Sequence, residues 1–204
     1  MTTVHVLAFV RAALPPPPAR VLEIGAGDGE LAAELRDGGY DVTAIDPAAD
    51  GGAAVQRTAL LDLQAEPFDA ALAVVSLHHV EPLEESCAHL AALVRAGGRL
   101  VVDEFDVAHL DERAATWWLG QRRAAGAEDD HDPASLIGFM RHHVHALAEV
   151  RAALEPHFAL GEPTPCAYLH RWNLDSALRG VEERLIARGR LPATGARVIG
   201  VRRP

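Results

Sequence analysis

Apolar and polar residues repeat along the chain with two different periods, and the period marks each element. Val6, Phe9, Val10 and Leu14 recur at helical spacing, so residues 1–14 are expected as one amphipathic helix. The four prolines at 15–18 end it, because proline supplies no N–H and restricts the residue before it. RVLEIGAG, from Arg20, is a short apolar run of the kind buried in a parallel sheet. GELAAELRDGG follows as a helix with Leu31 and Leu35 on one face, closed by Gly38 and Gly39. YDVTAID is the second strand, which completes a unit of βαβ size.

The alternation continues. VQRTALLDL is a weak third strand, preceded by a glycine-rich loop. FDAALAVVSL is a strong buried strand. PLEESCAHLAALVRAGG is a helix with Leu83, Cys87, Leu90 and Leu93 on one face, expected to be capped by Gly97 and Gly98. RLVVDEF is the fifth strand. Residues 107–157 then read as mostly helical, too long for a simple crossover, and are expected to cover a site as a lid. FALGEPTPCAYLHRW and ARVIGVRR are expected as closing strands with a helix between them, antiparallel neighbours near the sheet edge. The expectation is one α/β domain: a helix and proline linker (1–17), a sheet core (18–106), a helical lid (107–157) and closing strands with a helix (158–204).

Composition narrows the function. The chain has 204 residues, 49% hydrophobic, and no apolar stretch approaches the ~20 residues that span a bilayer. The N-terminus lacks the basic leader and cleavage pattern of a signal peptide. Cys87 and Cys166, without metal-like spacing, suggest reduced thiols in a cytoplasmic protein. All 19 basic residues are arginines, yet the net charge is −10, which disfavours nucleic-acid partners. Neither a membrane association nor an oligomeric state is indicated.

The chemistry begins at Gly25, Gly27 and Gly29. Glycines spaced this closely in a strand-to-helix turn let main chain approach a ligand, and the helix start offers free N–H groups. Asp46, ending the second strand, is an acid suited to both ribose hydroxyls of an adenosine. The dinucleotide pattern G-x-G-x-x-G would want glycine at position 30, where Glu30 stands. A pyrophosphate would also sit badly beside Glu23, Asp28 and Glu30; a sulfonium cation with an amino-acid tail would not.

VLEIGAGDG, VTAID, FDAALAVVSLHHV and LVRAGGRLVVDEF resemble, in order and spacing, the class I S-adenosylmethionine-dependent methyltransferases, over about residues 18–106. The resemblance implies a doubly wound, Rossmann-like seven-stranded sheet whose last strand is antiparallel. It implies S-adenosyl-L-methionine as cofactor and S-adenosyl-L-homocysteine as product. Glu23, Gly25, Ala26 and Gly27 would line the methionine portion, with Asp46 and the following Pro47 at the ribose. Ser76 and Leu77 would lie near the sulfonium. For adenine, the family's usual acid falls at Leu61 or Asp62.

Such transfer needs alignment more than a fixed catalytic set. His78, His79 and Glu104, at the carboxyl ends of two strands, are the candidate catalytic residues. Asp103 and Asp106 flank Glu104 and suit an amine better than a metal; no metal is expected. Trp117, Trp118, His143 and His145 are candidate substrate contacts on the lid; His142 shares a face with His145 and reads as solvated. Tyr168, His170 and Arg171 cannot be placed from sequence. The expected function is methyl transfer to a small molecule, with a nicotinamide-dependent oxidoreductase or a non-catalytic binding domain of the same fold as alternatives.

Overall fold

In the computed structural model, which describes residues 3–52 and 54–204, seven strands form one sheet. Met1 and Thr2, where the expected first helix would begin, lie outside the described residues. The strands are β1 (Arg20–Ile24), β2 (Asp41–Ile45), β3 (Phe68–Val74), β4 (Val94–Phe105), β5 (Phe158–Leu160), β6 (Thr164–Cys166) and β7 (Gly195–Arg202). Their order is β2-β1-β3-β4-β7-β5, with β6 beside β5 on the same edge of β7. The pairings among β1 to β4 are parallel, and β7 runs antiparallel to β4, β5 and β6.

Helices α1 (Thr3–Ala13), α2 (Glu30–Asp37), α3 (Leu83–Leu93), α4 (Glu112–Ala124), α5 (Pro133–His143), α6 (Leu147–Leu154) and α7 (Arg179–Ala187) surround the sheet. Val6 and Val10 of α1 pack with Leu31 and Leu35 of α2 in one core beside Val21 and Leu72. Leu90 of α3 and Val150 and Leu154 of α6 form a second core with Leu22, Leu100 and Val198. The central strands are therefore buried on both faces, which explains their unbroken apolar sequence.

Four expectations change in detail. VQRTALLDL is not a full strand: Gln56 makes one parallel bridge to Ile45, and Leu60–Asp62 is a 3-10 turn. Leu60 and Leu63, three apart, both enter the core against α3, a helical rather than a strand spacing. Gly97 and Gly98 do not cap α3, which ends at Leu93. They lie where β4 bulges between its Phe68–Val94 and Ala70–Arg99 pairings, and a Cβ on Gly98 would lie 2.9 Å from the Asp69 carbonyl. FALGEPTPC divides into β5 and β6, which pair with different ends of β7. The 107–157 stretch also divides: α6 covers the sheet, while α4 and α5 build a third cluster of Leu110, Trp118, Leu119 and Leu136 around Phe105 and Tyr168.

Candidate active site

The β1–α2 turn and the end of β2 are bound to each other. Gly25 and Ala26 both donate backbone N–H groups to the Ile45 carbonyl, at 2.9 and 3.0 Å. Asp46 accepts from Gly27 N–H through Oδ2 (2.9 Å) and from Ala48 N–H through Oδ1 (2.8 Å). Gly25 has φ +68° and faces Ser76 so closely that a Cβ there would lie 2.4 Å from the Ser76 Cβ. Both facts require glycine. Gly27, with φ +54°, is required by backbone conformation alone.

Beside this junction lies a cavity of about 570 Å³. Gly25, Asp46, Pro47 and Ala48 form one side; Thr58 to Leu61, Ser76, His79 and Val80 form the other. Most of this lining is apolar, suiting a flat aromatic base, with Asp46 as the acid. Each Asp46 oxygen takes one backbone N–H and retains a lone pair for a ribose hydroxyl. Ser76 Oγ is buried and has no hydrogen-bond partner among the described residues.

A second hollow of about 240 Å³ opens on the other side of Gly25 and Val75, the two residues common to both linings. Glu23, Ala26, Tyr168 and Arg171 line it. Glu23 is 3% exposed, and its Oε2 has no partner among the described residues. Burial pushes its carboxyl up to about 7, against a smaller opposing pull from Arg36. A buried carboxylate in that state is a receptor for a cation. The residues present suit S-adenosylmethionine: Asp46 in the larger hollow would hold the ribose and the buried Glu23 in the smaller one would hold an ammonium.

The turn after β3 is set by Glu104. Its Oε1 accepts from Ser76 N–H (2.9 Å) and Leu77 N–H (2.6 Å), and its Oε2 from His78 Nδ1 (2.5 Å) and Phe105 N–H (3.2 Å). Glu104 is 1% exposed. Its expected direct catalytic role is therefore corrected: both oxygens are committed, and the residue orients the 76–79 turn. His78 is buried against it, whereas His79 is exposed and lines the large cavity. Partial burial, followed by the neighbouring His78, holds the His79 pKa below its ordinary value.

Other sequence candidates fall elsewhere. Leu77 is wholly buried and off both linings. Leu61 lines the cavity, whereas Asp62 is exposed and does not, so the cavity wall is apolar at this point. Trp118 is core, stacked on Trp172 at 4.1 Å with its Nε1 donating to the Trp172 carbonyl, and Trp117 packs half-buried on the same cluster. His143 is exposed and stacks on Phe139. His145 pairs with Glu81 at 2.9 Å, and its backbone N–H donates to the His78 carbonyl. With His78, His79 and Arg141 it lines a polar hollow of about 250 Å³. Asp103 is held by Arg171 and Arg197, and Asp106 caps the 107–109 turn, so neither is available to an amine. Among the described residues no group of three or more histidine, cysteine or acidic side chains is placed to hold a metal.

Sequence reasoning missed the roles of Val75, Tyr168 and Arg171. Val75 has φ +56°, costly for a β-branched residue, at the point where the hollows meet. No pattern announced it. The signal for Tyr168 was faint: its Leu-His sequel repeats the Ser76-Leu77-His78 order.

Comparison with known proteins agrees with this fold. A family model described as a methyltransferase domain matches residues 4–149. An uncharacterized methyltransferase of Staphylococcus carnosus is 40% identical over 96 residues, 41% of this chain and 46% of that protein. One of Mycobacterium tuberculosis is 36% identical over 98 residues, 43% of this chain and 40% of that protein. The chain spans less than half the length of these curated relatives. Among solved structures, a methyltransferase from an antibiotic biosynthesis pathway of Anabaena variabilis superposes with TM-score 0.66 at 17% identity, covering 97% of this chain and 96% of that one. The Burkholderia thailandensis 1,6-didemethyltoxoflavin-N1-methyltransferase, with bound S-adenosylhomocysteine, gives 0.56 at 19%, covering 99% and 76%. At these identities the structural likeness is one of fold. The family match covers well over half of the chain, and the chain belongs to the methyltransferase domain family.

Proposed function

We propose that the chain transfers a methyl group from S-adenosylmethionine to a small-molecule acceptor, leaving S-adenosylhomocysteine. The observation that carries this is the continuity of the two hollows across Gly25 and Val75, one ending at Asp46 and the other at the buried Glu23. When bound, the cofactor supplies an activated methyl on a sulfonium. The protein's residues then have to hold, orient and exclude water. Asp46 accepts from the ribose, Glu23 from the ammonium, and Leu61 and Val80 cover the base. His79, kept neutral at pH 7, accepts the proton of a protic acceptor, and the Glu104–His78 pair positions its turn. The helices α4 and α5, expected as a lid, line neither hollow; α5 borders only the histidine-lined one. Bound S-adenosylhomocysteine in the 1,6-didemethyltoxoflavin-N1-methyltransferase supports the cofactor assignment.

A nicotinamide reading is disfavoured by Glu30 at the third glycine position and by buried Glu23, both poor neighbours for a pyrophosphate. A net charge of −10 favours a small acceptor over a nucleic acid. Among the described residues no helix is long and apolar enough to cross a membrane. Cys87 and Cys166 are free thiols, which suits a cytoplasmic location. Isothermal titration is expected to show S-adenosylhomocysteine binding, and absence of binding overturns the reading. Labelled cofactor with a metabolite panel then separates transfer from binding alone.

A further inference from the structure

On the far side of Arg171 from the second hollow is a separate cavity of about 290 Å³, walled by β6, β7 and α7. Three arginines converge on it: Arg171, Arg179 and Arg197. Asp103 takes two bonds from Arg171, from Nη1 at 2.6 Å and Nη2 at 3.3 Å, and one from Arg197 Nε at 2.8 Å. Glu183 takes both contacts of Arg179, from Nε at 2.8 Å and Nη2 at 2.7 Å. Three guanidinium groups therefore share two directly bonded carboxylates, and the next acid, Glu182, is taken up by the 168–170 turn.

Two donors are left over as well. Arg171 Nε and Arg179 Nη1 are buried and have no hydrogen-bond partner among the described residues, and the Arg171 side chain is 9% exposed. Buried N–H groups without acceptors are costly, and guanidinium donors match the oxygens of carboxylate and phosphate groups. Burial pushes the nearby Cys166 thiol up to about 11, so it adds no negative charge to the cavity. On a chain whose net charge is −10, a cavity lined by three arginines and one acid, Glu183, is against the general trend.

We propose that this cavity is a binding site for an oxyanion, a phosphate or carboxylate group, held by Arg171, Arg179 and Arg197. The site is independent of the methyl-transfer reading: the anion is either a free ion or an acidic group of a larger ligand.

The test is titration of the full chain with inorganic phosphate at low ionic strength, without cofactor or acceptor, so its result does not depend on methyl transfer. Saturable binding is expected, weakened about tenfold or more in Arg179→Ala and less in Arg179→Lys. Arg123→Ala, on an exposed residue of α4 that lines none of the cavities, is expected to bind as the native chain does. The arginine Nε–H NMR signals of Arg171 and Arg179 should shift on phosphate addition, a readout that needs no variant. Unsaturable binding, equal affinity in Arg179→Ala, or unmoved Arg171 and Arg179 signals would overturn the proposal. Once an acceptor is known, competition by phosphate for that acceptor identifies the anion as the acceptor's own group. An unchanged acceptor KM identifies a free ion.

Discussion

At the scale of single residues, Glu23 shows how a ligand site is maintained at the expense of stability. Its carboxyl ordinarily titrates near 4.5, and burial raises it to about 7. Between those values the folded chain holds a proton that the unfolded chain has released. Folding stability therefore falls as pH rises from about 4.5 to about 7, by roughly 3 kcal/mol, and remains lowered above that. Glu23→Gln removes the penalty: at pH 8 its thermal midpoint is expected several degrees above that of the native chain. The same variant is expected to bind S-adenosylhomocysteine about tenfold more weakly, without the native rise in affinity as Glu23 ionises near pH 7. A variant no more stable at pH 8 would show that the carboxylate is not penalised by burial. Asp46 makes a different prediction, because its carboxylate ties the glycine turn to β2 as well as facing the cavity. Asp46→Ala is expected to lose about 1 kcal/mol of stability and tenfold or more in cofactor affinity, read by denaturant melts and calorimetry.

Among the elements, one device occurs twice. Glu104 clamps the Ser76-Leu77-His78 turn, and Glu182 clamps Tyr168-Leu169-His170. Each buried carboxylate takes the first two N–H groups of its turn and the histidine Nδ1. The residues opening the turns have nearly the same backbone, φ −135° and ψ −41° at Ser76 and φ −134° and ψ −38° at Tyr168. Both turns border the hollows beside Gly25, so the two glutamates hold its walls from strand β4 and helix α7. For Glu182, burial raises the carboxyl pKa, but bonds from the His170 side chain and the N–H groups of His170, Leu169 and Tyr168 outweigh it and leave it depressed. A depressed carboxylate adds stability that is present above its ordinary value of 4.5 and is lost as pH falls through the lower folded value. Glu182→Gln is expected to cost about 2–4 kcal/mol at pH 7. The gap should narrow below pH 4.5, and thermal melts across that range check it. Equal melts at pH 7 would show the clamp to be ornamental.

Across the whole molecule, what was legible depended on whether a feature is local. The parallel strands, the glycine turn and Asp46 were readable because each lies within one βαβ unit, where spacing alone sets contact. The third strand was misjudged because Leu60 and Leu63 satisfy the core from a turn as well as a strand would. Glu104 was misassigned because three of its four donors lie 26 to 28 positions earlier, and nothing local distinguishes a clamp from a catalytic acid. Trp118 is likewise committed to Trp172, a partner 54 positions away. The long-range walls are also where a bound cofactor should be felt. S-adenosylhomocysteine at one hundred times its Kd is expected to add about 2.7 kcal/mol of stability, a midpoint rise of roughly 5–10 °C for a chain of this size. Hydrogen exchange should slow at 25–29, 46–48, 58–61 and 76–79, and at 168–171 on the far wall. The β5 strand and the exposed face of α1 touch neither hollow and should exchange as before. Protection confined to 76–79 and 141–149 would place the ligand in the histidine-lined hollow instead. That pattern would refute the path through Gly25 and Val75, since residues 25–29 and 46–48 border the proposed path and not the histidine hollow.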